Sequence, residues 1–173
     1  SNLMVGRDVK FVVDKEPAKP KDVVLEIKNM CVHGKHKKKH AVHNVSLNVR
    51  AGEIVCIAGI DGNGQTEFVN GLTGLERIES GSVKLCGIDI THKSVRYRNT
   101  HGMSHIPEDR HKHGLILDYS LGNNLVLQRY FEPRFQKHGF IKFDEVEKYS
   151  NELIDKYDVR SGQGSGTPAR SMS

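Results

Sequence analysis

The residues best suited to chemistry form a glycine-rich stretch, residues 59–66, which reads Gly-Ile-Asp-Gly-Asn-Gly-Gln-Thr. It matches the pattern of a phosphate-binding loop at every position except one, where Gln65 replaces lysine. Glycines let a backbone curl closely around phosphate groups, and a following helix directs its positive end towards them. The hydroxyl of Thr66 is placed to reach a magnesium ion. The stretch therefore predicts a phosphate site built mainly from backbone donors.

The glutamine at position 65 removes a positive charge from this loop. A hydrogen bond to a charged group is worth about 1.5–3 kcal/mol, or about 10- to 150-fold in affinity. Because the backbone donors, the helix dipole and Thr66 remain, we expect weakened binding of phosphate rather than none. Phosphoryl transfer would lose a group that stabilises developing charge. The alternative, a glycine turn that only joins a strand to a helix, is less favoured because of the elements on either side.

Those elements are predicted from hydrophobic periodicity. Residues 53–58 form a nearly continuous apolar run, as expected for a strand buried on both faces. Residues 65–72 have helical spacing, with Gly74 available to end the helix. Upstream, residues 23–30 and 42–49 alternate in polarity and predict an antiparallel hairpin. The loop is thus expected between a buried strand and a helix, beside a hairpin.

Further along, short strands are predicted at residues 82–85 and 103–106. Ser120 is expected to cap a helix over residues 121–130. Asp144 and Glu147 form a capping-box pattern for a second helix. The apolar face predicted for that helix consists of Val146, Tyr149, Leu153, Ile154 and Tyr157.

The composition of the 173 residues fits one soluble domain and narrows the class of protein. The net charge is +5, but the lysines among residues 35–40 supply four of these charges and the rest of the chain carries +1. We therefore expect no nucleic-acid partner. The apolar stretches are far shorter than the ~20 residues of a membrane span. Three cysteines, two of them in apolar runs, predict buried thiols and a cytoplasmic location.

Three segments together resemble a known family: the hairpin before Ala51-Gly52-Glu53, the loop at residues 58–67, and the segment Ser-His-Ile-Pro-Glu-Asp-Arg at residues 104–110. The chain resembles an ABC transporter ATPase subunit. It is most similar to the branch that energises import of simple sugars and nucleosides. Members of that branch carry two ATP-binding cassettes in one polypeptide, and the second typically has the Gly-Asn-Gly-Gln loop and an Ile-Pro-Glu-Asp-Arg segment.

The resemblance implies an α/β fold with a phosphate-loop NTPase core, an antiparallel β subdomain and the start of a helical subdomain. On this match the chain is the truncated front part of the second cassette. The implied parts are a tag remnant, preceding-cassette tail and linker over 1–22 and a partial nucleotide-binding domain over 23–173. That domain divides into a phosphate-loop core over 23–110, a helical subdomain over 111–158 and a mobile tail, with almost nothing to bury, over 159–173.

The implied ligands are ATP and Mg²⁺. The resemblance assigns nucleotide binding to the loop and to one later residue: Gly59, Ile60, Asp61, Gly62, Asn63, Gly64, Gln65, Thr66, Glu67 and Glu108. Magnesium contacts are assigned to Thr66 and Glu108. Glu108 stands where the family has a glutamine, and a carboxylate accepts from metal-bound water but repels phosphate. For stacking on adenine, the first strand offers only Val32 and His33.

In function, the resemblance implies an ATP-binding, energy-coupling subunit on the cytoplasmic face of the membrane. Its partners would be permease subunits, the preceding cassette and, indirectly, a solute-binding protein. The family's signature, its acidic magnesium strand, its catalytic glutamate and its switch histidine lie beyond Ser173, so we expect this chain not to hydrolyse ATP. Two alternatives stay open: a damaged GTPase or kinase, and a regulatory nucleotide-binding or structural module. A metal site at His33, His36, His40 and His43 is disfavoured by the lysines between them.

Overall fold

The computed structural model describes residues 15–34, 40–60 and 62–172. The chain divides into two compact units, residues 1–94 and 95–173. This division falls earlier than the boundary between residues 110 and 111 that the family resemblance implies. We describe each unit by itself.

The first unit contains a four-stranded antiparallel sheet with the strand order β2-β1-β3-β4. Its strands are β1 (Val23–His33), β2 (His40–Arg50), β3 (Ile78–Leu85) and β4 (Ile88–Asp89). The predicted hairpin is confirmed: β1 and β2 pair in antiparallel register, with Ile27 opposite Leu47 and Met30 opposite Val45. The alternation of apolar residues specifies this register because a slip by one residue would turn every apolar side chain outward.

Helix α1 (Gln65–Thr73) covers one face of this sheet. Gly71 allows the close approach, since a Cβ there would overlap Val32 and come near Met30. The helix ends where the sequence predicts, at Gly74, which adopts the left-handed conformation with φ of 84°. The buried apolar side chains of this unit are Ile27, Met30, Val32, Val42, Phe68, Ile78, Val83 and Ile90.

Two predicted strands are absent from the described part of the chain. Residues 53–58, expected to be a buried strand, have no strand pairing, and Ile54 is 94% exposed. Residues 103–106 are likewise unpaired, and Ile106 is 85% exposed. The prediction was wrong because an apolar run becomes a buried strand only when another strand pairs with it, and the four strands of the first unit pair with one another.

The second unit is mainly helical. It contains α2 (Val95–Thr100), a π-helical turn (Arg110–Gly114), α3 (Leu121–Val126), a short hairpin of β5 (Gln136–Lys137) and β6 (Phe140–Ile141), and α4 (Phe143–Lys156). Its core joins Val126, Phe135 and Val146, with Ile141 and Tyr149 packed against them. The rings of Phe135 and Tyr149 meet edge to face at 5.1 Å.

Ser120 caps α3 as predicted, its hydroxyl accepting a hydrogen bond from the Asn123 amide at 3.2 Å. The helix is shorter than expected and ends at Val126. The capping-box prediction for α4 is wrong: the helix begins at Phe143, so Asp144 lies in its first turn, and its N-cap, Lys142, makes no side-chain cap. The buried face of α4 includes Val146 and Ile154, whereas Tyr157, which lies just past the helix, is exposed.

The last residues of the second unit pack against residues 117–121 of the same unit. Thr167 and Ala169 are buried, so the expectation that residues 159–173 have almost nothing to bury is wrong. The backbone of this segment pairs with residues 117–121: the Ala169 amide donates to the Tyr119 carbonyl at 2.9 Å and the Leu121 amide to the Thr167 carbonyl at 2.8 Å. Backbone pairing buries a segment whose side chains are small, which hydrophobic periodicity does not detect.

Two of the three cysteines differ from the prediction of buried thiols. Cys56 and Cys86 are exposed and Cys31 is half-buried, so the prediction of buried thiols is wrong for the first two. Cys56 lies in the unpaired segment, and Cys86 lies in the turn between β3 and β4 with φ of 48°.

Within the described ranges, no helix has the length and apolar character that a membrane crossing requires.

Candidate functional site

The phosphate-binding loop joins the unpaired segment after Gly52 to helix α1. The described part of the loop turns between Ile60 and Asn63, where the Asn63 amide donates to the Ile60 carbonyl at 3.3 Å. Gly62 and Gly64 have φ of 82° and 91°, values that side chains rarely tolerate. Asp61 lies outside the described residues, so its assigned role stays a prediction.

Gly64 is the residue from which α1 begins. It is the N-cap of the helix, and its carbonyl accepts the first helical hydrogen bond, from the Phe68 amide at 2.8 Å. Gly64 also lies against strand β2, because a Cβ on it would overlap the backbone carbonyl of Ala41. The N-terminus of α1 is thus held beside β2, with its unsatisfied amides at the loop as anion binding requires.

The side chain of Gln65 folds back across the loop. A Cβ built on Gly59 would overlap the carboxamide nitrogen, Nε2, of Gln65. Gly59, the first glycine of the motif, therefore leaves room for the side chain of Gln65, which is the residue that differs from the motif. Gln65 is half-buried rather than directed into solvent.

A cleft of about 420 Å³ lies between the loop, β2 and α1. Four of the predicted nucleotide-binding residues line it: Gly59, Asn63, Gly64 and Gln65. The sequence reasoning missed the rest of the wall, which β2, residues 57–58 and α1 supply through Ala41, Val42, His43, Val45, Leu47, Ile57, Ala58 and Phe68. The alternation of β2 was a signal for Ala41, His43, Val45 and Leu47, because alternate residues of a strand lie on one face of the sheet.

The other predicted residues of the loop lie outside that wall. Ile60 and Thr66 are exposed, and Glu67 is half-buried. Thr66 stands in the first turn of α1 with its side chain open to solvent, as a hydroxyl ligand of a magnesium ion must be. The glycine backbone and this hydroxyl fit a phosphate group with an accompanying Mg²⁺.

Glu108 belongs to the second unit and is exposed. Its assignment to nucleotide and magnesium stays a prediction. Its neighbour Asp109 has a local structural role: its carboxylate accepts from the Lys112 amide at 2.9 Å and caps the turn that follows. This hydrogen bond lowers the pKa of Asp109. The carboxylate is thereby kept as an acceptor, which does not favour an acid–base role.

The residues considered for adenine stacking, Val32 and His33, lie at the end of β1. Val32 is fully buried beneath α1 and is unsuited to stack on a base. His33 is exposed, and its Nε2 lies 2.9 Å from a carboxylate oxygen of Glu79. His36 and the side chain of His40 lie outside the described residues, and His43 lines the cleft. Among the residues that the structure describes, no group of three or more potential ligands is arranged for a metal ion.

A glycine loop at the start of a helix, beside an antiparallel sheet, defines the chain as a phosphate-loop protein. The family model described as ABC transporter matches residues 42–164. The chain belongs to the ABC transporter ATP-binding family, as its motifs predict.

Curated relatives match nearly the whole chain. The nucleoside import ATP-binding protein NupA of Lactococcus lactis is 45% identical over all 173 residues, which cover 34% of that protein. The guanosine import ATP-binding protein NupO of Bacillus subtilis is 42% identical over 93% of the chain and 31% of its own length. The glucose import ATP-binding protein TsgD13 of Haloferax volcanii is 35% identical over 92% of the chain and 29% of its own length. The chain thus spans about a third of the length of these relatives.

Solved structures agree with this fold. A nucleotide-free ATP-binding cassette from an ABC transporter superposes with a TM-score of 0.64, covering 88% of the chain and 60% of the cassette, at 18% sequence identity. At that identity the likeness concerns the fold alone. It confirms the predicted α/β cassette fold.

Proposed function

We propose that this chain is part of the ATP-binding, energy-coupling subunit of an importer for nucleosides or simple sugars. The proposal depends on one observation above all: a glycine loop at the start of α1, in a chain that is 45% identical along its whole length to a nucleoside import ATP-binding protein. The relatives named for guanosine and glucose import support the same two classes of cargo.

ATP is the proposed ligand, with its phosphates at the amides of residues 59–66. The positive φ of Gly62 and Gly64 and the positive end of α1 suit phosphate oxygens. Mg²⁺, when bound, would neutralise phosphate charge, and Thr66 would hold it through its hydroxyl. Glu108 is proposed as a further contact to Mg²⁺, through a metal-bound water, because it stands where the family has a glutamine.

Gln65 makes this loop the weaker of two in the proposed parent protein. Because a neutral amide replaces an ammonium group, we expect weak binding of nucleotide. We also propose that this loop supports little phosphoryl transfer, because Gln65 lacks the positive charge that would stabilise charge developing in that step. Sustained phosphate release by the purified chain, absent from a Gly64→Arg variant, would contradict this.

In the parent protein, the proposed partners are the permease subunits and the preceding cassette of the same polypeptide, at the cytoplasmic face of the membrane. A solute-binding protein would act with them indirectly. The proposed inequality of the two cassettes has a direct test in transport assays. Replacing the lysine of the preceding cassette should abolish uptake, whereas Gln65→Lys should leave uptake largely intact; equal loss from both changes would contradict the proposal.

Calorimetric titration of the 173-residue chain with ATP and ADP, with and without Mg²⁺, tests the nucleotide site. We expect dissociation constants of tens to hundreds of micromolar, weakened by Thr66→Ala in the presence of Mg²⁺ and preserved by Thr66→Ser, which keeps the hydroxyl. Gln65→Lys should tighten binding by about 10- to 150-fold. Absence of binding by the wild type and by Gln65→Lys would favour a structural module instead.

A further inference from the structure

The side chain of Gln65, which replaces the motif lysine, lies against Gly59. Its carboxamide nitrogen occupies the position next to Gly59 that any larger residue there would fill. Gly59 does not need positive φ, unlike Gly62 and Gly64. Its lack of a side chain therefore serves to make room for Gln65 rather than to permit an unusual backbone.

The carboxamide of Gln65 has unused hydrogen-bonding capacity. A primary amide carries two N–H donors and one acceptor oxygen. Within the described parts of the chain, the Gln65 side chain makes no hydrogen bond, although it is half-buried and lines the cleft. Its neighbours in that wall, Asn63 and Gly64, belong to the same loop, so these donors lie beside the loop amides that the proposed nucleotide would contact.

We infer that the Gln65 carboxamide, which lies against Gly59, is a neutral donor to the phosphate chain and favours neither ATP nor ADP. This inference depends on the proposed nucleotide site and assigns one of its side chains a role. The contact with Gly59 places the carboxamide at the loop before the ligand arrives.

The lack of preference between ATP and ADP follows because the Gln65 side chain carries no charge. A neutral N–H donor gains about as much from a phosphate oxygen of ADP as from one of ATP. An ammonium group at the same position attracts the whole phosphate chain, and the attraction grows with each added negative charge. Gln65 should therefore support binding of both nucleotides, and lysine should favour ATP.

The test compares dissociation constants for ATP and ADP, each with Mg²⁺, among variants of the 173-residue chain. Gln65→Ala and the shorter Gln65→Asn should each weaken both nucleotides by about 2- to 10-fold and leave the ADP-to-ATP ratio unchanged. Gln65→Lys should raise that ratio. Thermal midpoints measured on the same samples separate loss of a ligand contact from loss of fold.

A double-mutant cycle tests whether the contact with Gly59 positions the Gln65 carboxamide. Gly59→Ala should displace the carboxamide and weaken both nucleotides as much as Gln65→Ala does, whereas Gly59→Ala with Gln65→Ala should be no weaker than either change alone. Additive losses, unchanged affinity in Gln65→Ala, or a changed ADP-to-ATP ratio in that variant would overturn the inference. If Thr66→Ala still weakens binding in that case, the proposed nucleotide site stands without this role for Gln65. Absence of binding by every protein, Gln65→Lys included, would overturn both.

Discussion

Gly64 meets the backbone carbonyl of Ala41 so closely that no residue with a Cβ fits between α1 and β2 at this point. Gly64 also has φ of 91°. The residue that begins the helix is thus constrained twice, by its own backbone conformation and by the neighbouring strand. This contact links the phosphate loop to the hairpin.

Gly64→Ala should therefore destabilise the chain and abolish nucleotide binding. A strained backbone conformation costs about 1–3 kcal/mol, and the overlap with Ala41 adds to that cost. Gly62 is the matched control, because its φ is 82° but a Cβ there would have open space around it. Urea unfolding and ATP titration of both variants measure the difference. Equal destabilisation by Gly62→Ala and Gly64→Ala would show that the contact with Ala41 contributes nothing.

The hairpin and α1 were predictable because the signals for them are local. Alternation over residues 23–30 and 42–49 specifies one buried face, and helical spacing followed by Gly74 specifies both the helix and its end. The glycine loop was predictable for a different reason, since its spacing reflects the shape of a phosphate group. In each case the evidence lies within a few residues of the feature.

The segment over residues 53–58 shows where local signals fail. Its composition is that of a buried strand, yet burial of a strand depends on partners distant in sequence. Within the described residues it has none, and residues 54–58 stay exposed. The wall of the cleft was missed for a similar reason, because the position of β2 beside Gly64 is a tertiary contact.

Comparison of two isoleucines tests whether this segment contributes to the core. Ile27 is 1% exposed and Ile54 is 94% exposed. Ile27→Ala should lower the free energy of unfolding by about 2–5 kcal/mol. Ile54→Ala should change it by no more than about 0.5 kcal/mol. Denaturant unfolding of both variants measures this, and a loss above 1–2 kcal/mol for Ile54→Ala would place residues 53–58 in the core after all.

A second pair of residues tests the core of the helical unit. Phe135 is fully buried against Val126 and Val146, whereas Phe140, on the neighbouring hairpin, is 79% exposed. Phe135→Ala should cost about 3–5 kcal/mol and Phe140→Ala about 0.5 kcal/mol or less. Helical circular dichroism during urea unfolding follows this unit. Similar midpoints for the two variants would contradict the assigned core.

The pairing of the chain end with residues 117–121 was not predictable from composition. Glycine, serine and proline dominate residues 161–173, a composition typical of mobile segments. The burial of Ala169 and Thr167 depends on backbone hydrogen bonds to residues whose position is set by the fold of the second unit. Small side chains suit such a position because they allow two backbones to approach.

Asp89 gives a prediction for the dependence of stability on pH. Its carboxylate accepts a hydrogen bond from the Thr91 amide at 2.9 Å, and the hydrogen bonds from Thr91 lower the pKa of Asp89. Thr91 is buried and its hydroxyl accepts from the Val83 amide at 2.9 Å, so the carboxylate supports a turn anchored on β3. A carboxyl whose pKa is lower in the folded state stabilises the fold above its unfolded pKa, about 3.9 for aspartate.

This stabilisation should be fully present at pH 7 and should disappear as the pH falls through the lowered pKa of the folded state. Asp89→Asn cannot ionise and lacks this contribution at every pH. The thermal midpoint of the wild type should therefore exceed that of Asp89→Asn at pH 7, and the gap should narrow as the pH falls below about 4. Midpoints recorded at intervals between pH 7 and pH 3 measure the gap. A gap of constant size over this range would show that Asp89 supports the turn through its shape alone and that its charge contributes nothing.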